Sequence, residues 1–236
     1  MNTRSKKSDV DLDVDLVEKL SGFDTATVAN AIEHFEVRDP VVGYASLELR
    51  AQLSNPKPMV GYAVTCTKVT TSPGDKRPQG LEKILDLIDD SPKPAVLVIQ
   101  YLGDDRLRGC CIGDMFCTAL DRLGVVGAVT DMGVRDIQGI SERVPGFQVF
   151  SPGCVASHGY GVVLDVDVNV SVCGLEISTG DLLHGDQNGL ISVPLDIADR
   201  VIKQAQIVRH DEEDYFQFVD REDLTLEELK KRLTIH

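Results

Sequence analysis

At 236 residues, with 42% hydrophobic and 26% charged residues, the chain is long enough to bury one full core, and its composition excludes a disordered or fibrous class. The formal net charge of -14, with a pI near 4.7, excludes nucleic acid and anionic membrane surfaces as partners, because no basic field exists to release counterions from phosphates. No run reaches the ~18 consecutive apolar residues of a membrane span, and six cysteines without a CxxC pair read as reduced thiols of a cytoplasmic protein.

Residues 1–13 are polar and charged, from Met1-Asn2-Thr3-Arg4 to Asp11-Leu12-Asp13. They are expected to form a flexible tail, and lack the apolar core of a secretory signal. Val14 to Leu20 reads as a short helix, and a second helix starts at Asp24 or Thr25 with Val28, Ala29, Ile32 and Phe35 at helical spacing. Val41 to Pro58 reads as an irregular connecting excursion. Met59 to Val69 is a strand by its β-branched content, and Ser72-Pro73-Gly74-Asp75 is a turn. Leu81, Ile84, Leu85 and Ile88 make an amphipathic helix, and Ala95 to Ile99 is an apolar run short enough for a buried parallel strand. A further helix leads to Leu123, and a strand runs from Val125 to Thr130. This alternation predicts an α/β fold. From Val149 to Val193 period-two runs broken by glycines predict hairpin-like strands. A helix follows Pro194, with Ile197, Val201, Ile202 and Ala205 on one face, and Thr225 caps a last helix containing Leu226, Leu229 and Leu233.

The chemistry concentrates between Gly113 and Gly139. Twenty residues separate Asp114 from the pair Arg135-Asp136, and the helix and strand between them are expected to bring the two ends together. Each end follows a buried strand, the place where open α/β sheets bind ligands. Asp136 offers a hard oxygen for Mg²⁺ or Mn²⁺, and Arg135 a planar fork for a carboxylate. The helix that begins near Asp114 presents amides suited to an anion. Blander readings exist for each residue: aspartate is a common N-cap, and an adjacent Arg-Asp pair is often a surface contact of at most ~1 kcal/mol.

Gly113-Asp114, Ala119, Gly124, Gly127, Val129, Asp131, Gly133 and Arg135-Asp136 resemble the spaced pattern of the RraA-like family, which includes 4-hydroxy-4-methyl-2-oxoglutarate aldolases. Thr25 to Ala31, Pro58 to Thr65 and Gly180 to Pro194 extend the resemblance over roughly residues 20–210. It implies a β/β/α fold like the phosphohistidine swivelling domain, with mixed sheets and extra helices at both termini. The chain then divides into the tail 1–13, a catalytic domain 14–210 and a C-terminal helical extension 211–236. It also implies a homotrimer or homohexamer with sites between subunits. Asp136 would bind Mg²⁺ or Mn²⁺, Asp114 would hold the ion through water, and Arg135 would grip a small 2-keto acid. Gly113 and the amides near Met115 and Phe116 would receive its oxygens. The implied reaction is aldol cleavage to pyruvate through an enolate, with oxaloacetate decarboxylation beside it.

The sequence departs from that family at three places. Gly139 stands where a carboxylate is usual, Met132 where glycine is usual, which would narrow the pocket, and Asn30 where aspartate is common. Arg106, on a strand-end loop, could bind a second carboxylate or belong to a solvated charged loop. His184, near Asp181 and Asp186, reads as a loop histidine, solvated or functional, and Cys117 as a small buried residue before a nucleophile. The family's methyltransferase label finds no support, since no glycine-rich strand-turn-helix precedes an acidic strand end. The competing function is that of a non-catalytic RraA-type regulator, whose acidic surface would bind a partner protein of RNA degradation.

Overall fold

The computed structural model describes residues 14–71 and 80–234. The tail expected at 1–13 and the turn expected at 72–75 lie outside the described residues. The chain opens with helices α1 (Val14–Leu20) and α2 (Thr25–Glu33), then strands β1 (Arg50–Ala51) and β2 (Met59–Val69). Helix α3 (Leu81–Asp90), β3 (Ala95–Tyr101), β4 (Cys110–Ile112), α4 (Asp114–Arg122), β5 (Val125–Thr130), β6 (Gly133–Val134) and α5 (Ile137–Arg143) follow. Strands β7 (Gln148–Ser151), β8 (Gly153–Cys154), β9 (Val162–Val166), β10 (Val170–Val172), β11 (Leu175–Ile177), β12 (Leu182–Asp186) and β13 (Gly189–Val193) precede α6 (Ala198–Val219) and α7 (Leu226–Leu233).

The main sheet runs β1-β7-β5-β3-β2-β12-β13, and β9 pairs with the second half of β2. Its parallel part is β2, β3, β5 and β7, each connection passing through a helix as parallel pairing requires. After β3, β5 and β7 the chain adds a second short strand, and β4, β6 and β8 form a parallel sheet of their own. Strand, short strand, helix therefore recurs as β3-β4-α4 and β5-β6-α5. The architecture is mixed α/β with helices at both termini.

Alternation along β2 assigns its side chains to three cores. Val64 and Cys66 pack under α3, α4 and α5, with Ile84, Ile88, Leu120 and Ile140. Val60 and Tyr62 pack under α1, α2 and α6, with Leu20, Val28, Ile32 and Val201. Met59 and Ala63 face a third core made only of strand and loop residues, among them Val96, Val98, Val129 and Phe150, and filled by the β10–β11 hairpin through Val170, Val172, Leu175 and Ile177. A strand buried on both faces must be apolar at both parities, which is why β2 and β3 read as continuous runs. Each fully buried Val, Leu or Ile there contributes about 1.5–3 kcal/mol.

The segment 41–58, expected to be an irregular connection, straps the two sheet edges together. On one side Ala45 N–H donates to Leu190 O and Ser192 N–H to Gly43 O; on the other β1 pairs with β7 and Gln52 N–H donates to Val149 O. The sheet is nearly closed by this strap, because edge strands carry backbone groups that need partners. At the other end α6 runs unbroken across 210 and 211, where the sequence places the start of the C-terminal extension. Among the described residues no helix is long and apolar enough to cross a membrane.

Candidate active site

Pairing between β4 and β6 creates the site. Ile112 lies in register with Val134, and Arg135 N–H donates to Ile112 O at 3.0 Å. Gly113-Asp114 and Arg135-Asp136 therefore leave adjacent parallel strand ends side by side, and the twenty-residue spacing is one strand-helix-strand circuit. Asp131 anchors the circuit from below: its carboxylate accepts the Tyr101 N–H at 2.8 Å, tying the end of β5 to the end of β3. Burial raises its pKa, against the Tyr101 N–H and Arg106, which lower it.

Gly113, Asp114, Met115, Phe116, Arg135 and Asp136 line one cavity of about 220 Å³, together with Lys68, Thr70, Cys111 and His158. That size suits a small ligand, since drug-sized ones occupy roughly 300–1,000 Å³. Arg135 Nε lies 3.2 Å from Asp136 Oδ2. Asp136 itself is left-handed, with φ 58°, a conformation that aspartate tolerates better than most residues and that clusters at functional sites. It is the N-cap residue of α5, two residues beyond the end of β6. A Cβ on Gly113 would stand 2.8 Å from Asp136 Oδ2 and 3.4 Å from Arg135 Nε, so glycine leaves open the space beside the pair. Asp114 accepts the Met115 N–H at 2.7 Å and lies 3.8 Å from Arg143 Nε. One of the two amides expected to receive substrate oxygens is thus held by Asp114.

Other expected residues fall elsewhere. Arg106 does not line this cavity: it donates to Asp131 O at 3.2 Å and reaches Glu48 at 3.4 Å. Met132 is fully buried in the core with its Sδ 3.9 Å from Thr70 Oγ1, packed inward and not narrowing the pocket. His184 is a strand residue, not a loop one. Buried in β12, its Nδ1 meets Thr25 Oγ1 at 3.0 Å and its Nε2 meets Leu20 O at 3.2 Å, so it ties α1 and α2 to the sheet. Burial lowers its pKa. Cys117 is fully buried, and burial pushes its thiol up to about 12, which leaves no thiolate for chemistry. Sequence reasoning passed over Lys68, although a lysine within an eleven-residue strand of apolar and hydroxyl residues is itself a signal of special placement.

Asp114 and Asp136 are the carboxylates of this cavity that could hold a hard divalent cation. Asp114 and Asp136 open onto the same cavity, and among the described residues no three or more His, Cys, Asp or Glu converge at one point. Two carboxylates with few other ligands suit an ion such as Mg²⁺, which retains several waters.

A profile of the family described as RraA-like, Aldolase/RraA, matches residues 25–212. Protein DlpA of Legionella pneumophila is 23% identical over 201 residues, 84% of this chain and 30% of its own length. A protein of Halalkalibacterium halodurans, provisionally named 4-hydroxy-4-methyl-2-oxoglutarate aldolase, is 29% identical over 119 residues, 50% of this chain and 55% of its own. The match thus spans less than two thirds of each relative. The crystal structure of Streptomyces coelicolor RraAS2, described as an unusual member of the RNase ES inhibitor RraA family, superposes with a TM-score of 0.65 at 24% identity, covering 87% of this chain and 96% of that one. It shares the fold.

Proposed function

The chain belongs to the RraA-like, Aldolase/RraA family, and from that premise we propose that it is a cytoplasmic lyase cleaving a short 2-keto acid to pyruvate with Mg²⁺ or Mn²⁺. The observation that carries this reading is the convergence of Asp114, Arg135 and Asp136, with Gly113 keeping space beside them, on one cavity at a helix start. Relatives provisionally named as 4-hydroxy-4-methyl-2-oxoglutarate aldolases support it. That keto acid and oxaloacetate are its proposed substrates.

Arg135 binds the carboxylate next to the keto group through its fork. Asp136 and Asp114 would hold the cation, which would supply electrostatic stabilisation of the charge developing on the keto oxygen. In the aldol cleavage the 4-hydroxyl loses its proton and the bond between carbons 3 and 4 breaks. The electron pair remains with carbon 3 as an enolate, which is then protonated to pyruvate. Asp114 orients the water that exchanges these protons. Arg135, fixed before the reaction, lowers the barrier because its charge needs no reorganisation as the enolate forms. Met115, exposed at the cavity, and Leu102, Leu107 and Tyr160, exposed along a second depression that shares Thr70 with it, fit the proposed homotrimer or homohexamer, since exposed apolar patches mark contact surfaces.

The test is pyruvate release from both substrates, with and without metal. Native protein is expected to be active only with metal, and Asp136→Ala or Arg135→Ala to lose at least ~10²-fold in kcat/KM. Equal, metal-independent rates in all three proteins overturn the assignment. A regulator of RNA degradation is the second reading, favoured by the net charge of -14. It would bind a basic partner protein equally well after both substitutions.

A further inference from the structure

The charges that face the cavity are largely matched within the protein. Arg135 stands against Asp136 and Asp114 against Arg143. Lys68 differs. It sits near the end of β2, in register with Tyr101 of β3 and Val163 of β9, and is only 7% exposed. Its Nζ lies 5.0 Å from the centroid of the Phe116 ring. Among the described residues no carboxylate lies within ion-pair distance of it and no acceptor receives its protons. Its field reaches the Cys66 and Cys111 thiols, yet burial outweighs it and pushes the Cys66 thiol up to about 11.

A buried cation without a counter-ion is costly, and an aromatic face offsets only part of its lost hydration. Such a group is understandable where the ligand brings the missing anion. Lysine also suits that task, being a point charge on a flexible stem that accepts an anion without the planar geometry arginine demands. Resting on the keto-acid reading above, we infer that Lys68 is the residue that binds the far acidic group of the dicarboxylic substrates proposed there, so that the substrate is held at both ends, by Arg135 and by Lys68. Phe116 is its positioning residue: the ring keeps the ammonium at the cavity wall. Arg106, which the sequence marked for this second carboxylate, is engaged with Asp131 and Glu48 instead.

The test compares 2-oxoglutarate with 2-oxopentanoate, which differ only by a carboxylate against a methyl group at the far end. Calorimetry with Mg²⁺ is run on the full-length native protein, Lys68→Met and Arg135→Met. Native protein is expected to prefer the dianion at least tenfold. Lys68→Met should reduce that preference to less than twofold, weakening the dianion far more than the monoanion, and Arg135→Met should weaken both ligands. Without ligand, Lys68→Met should melt higher than native protein, because methionine fills the same space without a charge, and this also shows that the variant folds. A tenfold preference that survives in Lys68→Met overturns the assignment of Lys68 alone. Failure of both ligands to bind native protein overturns the keto-acid reading and this inference with it.

Discussion

Gly139, where the resemblance leads one to expect a carboxylate, packs directly against Asp114. A Cβ at 139 would stand 2.8 Å from Asp114 Oδ2 and 3.2 Å from Asp114 Cβ. A side chain there and the observed Asp114 rotamer compete for one space, so glycine lets Asp114 lean onto α5 toward Arg143. Gly139→Ala should therefore separate stability from catalysis. Alanine gains about 0.5–1 kcal/mol within a helix, against which the Asp114 carboxylate must swing away and its Cβ, at 3.2 Å, must shift slightly. The melting temperature is expected to stay level or rise by a few degrees while pyruvate release falls, a split read by calorimetry beside the assay. The cysteines give a second residue-scale prediction. Cys154 is exposed, whereas Cys66 and Cys117 are buried with thiols raised to about 11 and 12. Iodoacetamide at pH 7.5 should label Cys154 in the native protein and reach the other two only after unfolding, as peptide mass mapping would record.

At the scale of elements, the joint between α1, α2 and β12 is sensitive to pH through His184. His184 is neutral in the fold because burial lowers its pKa from the ordinary 6.5, and the unfolded chain binds the proton more readily. The unfolded state therefore gains protons first as pH falls. Stability from this residue is full above pH 6.5 and is lost progressively as the pH drops from 6.5 toward the lowered folded value. Denaturant midpoints should decline between pH 7 and pH 5. His184→Phe should flatten that part of the decline, at a cost of about 1–3 kcal/mol for leaving Thr25 Oγ1 and Leu20 O without their partner. The strap from 43 to 52 belongs to this scale too. It was invisible to periodicity, since strand pairs of two residues and single bridges leave no alternation long enough to read, and its pairing partners lie far away in sequence at 149–151 and 190–192.

For the whole molecule, the proposed assembly and the proposed regulator make different demands on the surface. Met115 is 85% exposed at the mouth of the cavity, with Leu107 and Tyr160 exposed on neighbouring loops. A homotrimer of 25.8 kDa chains should elute and scatter light at about three times the monomer mass, and a homohexamer at about six times. Met115→Asp with Leu107→Asp should shift that mass toward the monomer and lower activity together with it. A monomeric native protein would remove the subunit-interface part of the proposal and leave the cavity in one chain intact.

The sequence alone determined the α/β class, most of the helices and long strands, and the Asp114 and Arg135-Asp136 constellation. Hydrophobic period, caps and strand-end loops are local properties, and the family pattern lies along one continuous stretch. The tertiary structure decided what depends on residues remote in sequence: that β4 pairs with β6 and so brings the two charged ends together, that His184 is a core strut and Arg106 a partner of Asp131, and that Lys68 reaches the same cavity. A side chain's meaning at those positions depends on which face of a strand is buried and against what, and a linear pattern holds no record of the neighbour that folding brings to it.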